Sequence, residues 1–83
     1  MAIRATGKVT RIYATNGQVY IRLDAEPKPK DGYFQLEQSH SNYNALYSLA
    51  LSAANNGDRL QIRTTSEITP SSHGVVAYMV VDW

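Results

Sequence analysis

Residues 39–57 read Ser-His-Ser-Asn-Tyr-Asn-Ala-Leu-Tyr-Ser-Leu-Ala-Leu-Ser-Ala-Ala-Asn-Asn-Gly. Tyr43, Leu46, Tyr47, Ala50, Ala53 and Ala54 recur at spacings of three and four, which predicts one amphipathic helix. Ser39, Ser41 or Asn42 can cap its start, and Asn55-Asn56-Gly57 can end it with Gly57 left-handed. Leu49 and Leu51 spread the apolar surface almost all the way round. No Lys, Arg, Asp or Glu occurs in the whole stretch. A helix that covers a sheet on one side and meets water on the other normally carries charge on its wet side. This one therefore predicts a second partner, a neighbouring subunit.

Strands flank the helix on both sides. Ile3, Ala5, Gly7 and Val9 alternate with Arg4, Thr6, Lys8 and Thr10, which predicts a strand over residues 2–14. The alternation slips between Val9 and Ile12, a sign of a bulge or bend. Asn16-Gly17 is a strong hairpin signal. The second strand covers residues 18–25, with Val19, Ile21 and Leu23 inward and Tyr20, Arg22 and Asp24 outward. Residues 26–32, with Pro27, Pro29 and Gly32, form a loop. A short third strand at 33–38 points Phe34 and Leu36 inward and Tyr33, Gln35 and Glu37 outward. After the helix, residues 58–67 form a fourth strand. Its Arg59 and Arg63 share a face, with Asp24 or Glu37 as their expected cross-strand neutralisers. A Ser/Pro-rich loop at 68–74 leads to a last strand at 75–83. That strand is apolar on both faces, which again predicts an interface.

The order β-β-β-α-β-β in one domain, residues 1–83, predicts a mainly β protein. It is the order of the OB-fold, a small five-stranded Greek-key barrel with one helix between strands three and four. The chain has 83 residues, so its own core is marginal. It has no cysteine, which excludes disulfides and thiolate metal sites, and two histidines, too few for a His-rich zinc site. Oligomerisation is the remaining device. The predicted interface residues are Tyr43, Leu46, Tyr47, Leu49, Ala50 and Leu51 on the helix, with Val76, Tyr78 and Val80 on the last strand.

The net charge of +1 gives no global basic excess. The uncharged stretch is too polar to span a membrane, and no membrane insertion is expected. No leader pattern follows Met1, so the chain as it stands reads as cytoplasmic, and as secreted if a leader was removed.

No catalytic set emerges. The carboxylates are scattered, the glycines form no phosphate loop, and His73 beside Ser71 and Ser72 reads as a solvated loop histidine. No enzyme, cofactor or metal is expected. Six tyrosines are the informative excess. Tyr20 and Tyr33 lie outward beside Arg22 and Gln35, on the surface where OB-folds bind oligonucleotides or oligosaccharides, and these four are the predicted ligand residues. The bland alternative is tyrosines that pair across strands or fill an interface.

Gly7-Lys8-Val9, the Asn16-Gly17 turn and the segment from Asn42 to Thr64 resemble the receptor-binding B subunits of Shiga-type AB5 toxins. The resemblance is sharpest at Ser48, Leu49, Leu51, Ser52, Ala53, Gly57, Ile62 and Thr64. It implies a homopentameric ring with helices around a pore and a glycan-binding face without catalysis. The chain departs from that family in its missing cysteines, in Tyr43 or Asn44 where those subunits carry an exposed tryptophan, and in its longer loop at Pro27–Lys30. The expected function is thus a non-enzymatic, oligomeric, glycan-binding module. The alternatives are a single-stranded nucleic-acid binder using Tyr20, Arg22, Tyr33, Arg11 and Lys8, or a purely structural subunit.

Overall fold

A computed structural model describes residues 2–82. Its strands are β1 (Arg4–Thr15), β2 (Gln18–Leu23), β3 (Phe34–Glu37), β4 (Arg59–Thr64) and β5 (Gly74–Val81). One helix, α1 (Tyr43–Asn56), lies between β3 and β4. The five strands form one sheet in the order β1-β2-β3-β5-β4, and β1 also pairs β4, so the sheet closes on itself. All pairings are antiparallel except β3 with β5.

β1 serves both halves of the closed sheet. Its first part, Arg4 to Lys8, pairs β4, and its last part, Arg11 to Thr15, pairs β2. The register shifts between Val9 and Arg11, where the sequence slips. A bulge bends the strand there without turning its outward side chains inward. Gly7 allows the bend to be covered: a Cβ built on it would lie 2.5 Å from Asp24 Oδ1 and 2.8 Å from Ala25 Cβ. The same Asp24 oxygen accepts the Lys8 backbone N–H at 2.8 Å. At the hairpin, Thr15 pairs Gln18 across Asn16-Gly17, and only Gly17 takes positive φ.

The interior holds Val19, Ile21 and Leu23 of β2, Phe34 and Leu36 of β3, Leu60 and Ile62 of β4, and Val76 and Met79 of β5. The expected inward sets of β2 and β3 are therefore observed. Leu46, Ala50 and Ala53 of α1 are buried against this core, with Tyr43, Tyr47 and Leu49 packed around them. Leu46 and Ala50, expected at a subunit interface, are thus consumed by the protein's own core.

The last strand corrects the expectation further. Simple alternation puts Val76, Tyr78 and Val80 on one face. The register shifts between Arg63 and Thr64, whose partners are Tyr78 and Val76. Ala77 is the extra residue, and past it the faces exchange. Val76 and Met79 point inward, while Tyr78 is 45% exposed. Val76 is therefore no interface residue. β4 and β5 are shorter than expected, and the expected end of β5 at Trp83 lies outside the described residues.

The helix start also differs. Asn42 is the cap residue but makes no side-chain cap bond, and neither serine caps. His40 holds the cap residue instead: its ring Nδ1 accepts the Asn42 backbone N–H at 3.0 Å, and its carbonyl accepts the Tyr43 N–H at 3.1 Å. The helix ends at Gly57, φ 70°, as Asn-Asn-Gly predicts.

Candidate functional site

Alternation along β2 turns Tyr20 and Arg22 outward. The two-residue turn fixes which β1 residues stand beside them. Counting back from Thr15–Gln18, Tyr13 pairs Tyr20 and Arg11 pairs Arg22. Tyr33 joins from the residue before β3, where a short 3-10 turn (Lys30–Gly32) brings the loop back to the sheet.

The three rings form one cluster on the outside of the sheet. Tyr13 and Tyr20 stack with centroids 4.9 Å apart and planes 24° apart. Tyr33 stands edge-on to both, at 5.3 Å from Tyr13 and 6.2 Å from Tyr20. The Arg22 guanidinium carbon lies 4.7 Å from the Tyr33 centroid, and that of Arg11 lies 5.8 Å from the Tyr13 centroid. The Tyr20 hydroxyl donates to Gln18 Oε1. Tyr13 is 38% exposed. Beside the rings is a depression of about 320 Å³, lined by Tyr13, Tyr20, Tyr33, Lys30, Asp31 and His73. His73 comes from the β4–β5 loop. That loop is tied to the 30–32 turn by the Lys30 N–H, which donates to the Ser72 carbonyl at 2.9 Å.

Three of the four expected ligand residues, Tyr20, Arg22 and Tyr33, are therefore together. Gln35 stands directly opposite Tyr20 but is covered: it is 8% exposed, between Tyr20 of β2 and Val75 of β5. Of the outward residues of β3, Gln35 in the middle is covered by its neighbours while Glu37 at the end is exposed. Lys8, grouped with the nucleic-acid residues, stands opposite Arg59, on the β4 side of the β1 bulge. Tyr13, Lys30, Asp31 and His73 complete the site. Tyr13 was legible by counting from the Asn16-Gly17 turn; the loop residues carry no sequence signal that assigns them there.

Arg59 and Arg63 do not meet Asp24 or Glu37. Their β1 neighbours are Lys8 and Arg4, and β5 sets Tyr78 beside Arg63. A wider depression at the start of α1, about 520 Å³, is lined by Gln38, His40, Ser41, Asn42, Tyr43, Asn44 and Ala45. No Lys, Arg, Asp or Glu lines it, and both ring nitrogens of its histidine already bond the backbone of Asn42 and Ala77. The tyrosine face, with aromatic planes and cations at one place, has the richer recognition chemistry.

Among the described residues, no group of three or more His, Asp or Glu is placed to hold a metal, and no helix is long and apolar enough to cross a membrane. Comparison with family models, curated proteins and solved structures gives no match.

Proposed function

We propose that the chain is an OB-fold binding module without catalytic activity, and that its tyrosine face holds single-stranded nucleic acid. The strand order β1-β2-β3-β5-β4, a bulged β1 shared between two partners and a helix between β3 and β4 support the fold assignment. The observation that carries the ligand assignment is the pairing of Tyr13 with Tyr20 next to the pairing of Arg11 with Arg22. Rings offer stacking planes to any base, and guanidiniums beside them meet the phosphates. A purely structural cluster is better served by a carboxylate opposite Arg22, because like charges directly opposite destabilise a sheet.

The test is fluorescence anisotropy with labelled oligothymidylate at two salt concentrations. Salt-sensitive binding that weakens in Tyr13→Ala and Tyr33→Ala is the expected result. Absence of binding at micromolar protein overturns the assignment.

A second reading is the glycan-binding pentamer, and one observation favours it. Asn44, Ala45, Ser48, Leu51, Ser52 and Asn55 form an exposed helix surface without charge. In this reading the helices meet around an axis, and Asp31 accepts sugar hydroxyls at the tyrosine face. Light scattering of the purified protein together with a glycan array tests it. A monomer with a blank array removes it.

A further inference from the structure

Six of the eight basic side chains stand in three like-charge pairs along β1: Arg4 opposite Arg63, Lys8 opposite Arg59, and Arg11 opposite Arg22. Directly opposed residues project on one face with Cβ atoms about 4.5–5.5 Å apart, and like charges there repel. Among the described residues the one ion pair, Lys28 with Glu26, involves none of the six. Arg4, Lys8, Arg11 and Arg59 are exposed. The third pair belongs to the tyrosine face. The first two lie outside it, on the β1–β4 side of the barrel.

The rows between and beside these cations are suited to a strand's backbone. Thr6 pairs Gln61, and Gln61 pairs Val80, giving an uncharged row between the two cationic ones. Thr6, Arg59, Gln61, Val80 and Asp82 line a depression of about 240 Å³ there. Tyr78 continues the Arg4–Arg63 row, with the Arg63 guanidinium carbon 5.6 Å from its centroid. Asp82 is the acid at this depression, beyond the end of β5. The bulge between Val9 and Arg11 keeps Lys8 and Arg11 both outward, so the cations of β1 follow one another along the outside of the barrel.

We infer that the Arg4–Arg63 and Lys8–Arg59 pairs form a second, phosphate-binding track, along which a single-stranded nucleic acid leaving the tyrosine face continues over β1 and β4. The inference rests on the nucleic-acid reading and adds a second surface to it. The repulsion within each pair is relieved when a phosphate sits between its members. The track lacks the tyrosine triad, so it contributes affinity and length dependence rather than base preference.

The test compares oligothymidylates of about 5 and about 16 nucleotides, spanning the range of one OB-fold site. The double variant Arg4→Gln/Lys8→Gln is set against Tyr33→Ala. The double variant is expected to bind the short oligomer like wild type. For the long one, the slope of log affinity against log salt should fall by about 1.4, two phosphate contacts at roughly 0.7 each. Removing like charges should also raise its melting temperature, which shows that it folds. Tyr33→Ala should weaken both lengths. If both lengths bind the wild type alike, or the long-oligomer slope is unchanged in the double variant, the track is overturned while the tyrosine site stands. If neither length binds, both assignments fall. If the double substitution abolishes binding to phosphatidylserine vesicles and leaves the oligonucleotide slope unchanged, the face belongs to a membrane and the inference is wrong.

Discussion

The Arg22 guanidinium lies over the Tyr33 ring, its carbon 4.7 Å from the centroid. A Cβ built on Gly32 would be 3.5 Å from Arg22 Nε and Nη2, so the guanidinium also runs close to the 30–32 turn. β2, the turn and the start of β3 are held together by one planar cation. Replacing Arg22 with Lys keeps the charge but loses the planar group. Arg22→Lys should lower unfolding stability by about 0.5–1 kcal/mol in urea titration, the scale of one exposed cation–π contact. An unchanged denaturation midpoint would show that the guanidinium is not held there.

Tyr13 separates binding from stability. It is the exposed ring of the stacked pair and lies outside the core. Tyr13→Ala should weaken oligonucleotide binding by about 1–3 kcal/mol, the range for one base–aromatic stack. Its denaturation midpoint should move little. Binding unaffected by the loss of this ring would make the cluster a packing feature of the sheet.

Gly7 is where the chain just after β2 passes close to β1. A side chain there meets Asp24 Oδ1 and Ala25 Cβ, and the Asp24 oxygen is already fixed by the Lys8 N–H. Gly7→Ala should destabilise the protein by roughly 1–3 kcal/mol, as overpacking does. Asp24→Asn keeps the acceptor and should cost less. Thermal melts of the two variants give the order directly.

How much of the fold is legible in the sequence follows from where the periodicity breaks. In β1 the bulge is visible because apolar and polar residues alternate on either side of it, so a slip changes the pattern. In β5 every residue from Val75 to Val81 is apolar or aromatic, so the bulge at Ala77 leaves no trace in the sequence. Plain alternation therefore places Val76 with Tyr78 and Val80, and the bulge puts it inside. The expected subunit surface on α1 failed at Leu46 and Ala50 for a related reason. A helix apolar nearly all round does not say which side the sheet takes. The tyrosine face was half legible, because Tyr20 and Arg22 follow from alternation alone. Gln35 followed the same alternation outward and is nevertheless covered, since the burial of a short central strand depends on its neighbours. Asp24 and Glu37 do not neutralise Arg59 and Arg63 because strand order decides which residues face each other. β4 lies between β1 and β5, whereas Asp24 follows β2 and Glu37 ends β3.

Leu51 tests self-association. It is 40% exposed, on the helix surface that carries no charge. If copies of the chain assemble through this surface, Leu51→Glu buries a carboxylate at the contact and should convert the assembly to monomer in light scattering. The fold should survive, since Leu51 lies outside the core. An identical mass for wild type and variant removes the helix from any interface.

His40 fastens the helix start to the bulge of β5. Its Nε2 bonds the Ala77 carbonyl at 2.9 Å, and its Nδ1 accepts the Asn42 N–H at 3.0 Å. Because Nδ1 accepts from a backbone N–H, the neutral ring carries its proton on Nε2 and donates it to Ala77. Imidazole 15N shifts should therefore report the Nε2–H tautomer. His40→Ala leaves the Ala77 carbonyl and the Asn42 N–H without their partners. Two lost bonds at about 0.5–1.5 kcal/mol each predict a fall of roughly 1–3 kcal/mol in unfolding free energy. His73, exposed in the β4–β5 loop, is the internal control: His73→Ala should leave stability unchanged. Equal stability of the two variants would show that the helix start is held by the sheet contacts of Leu46 and Ala50 alone.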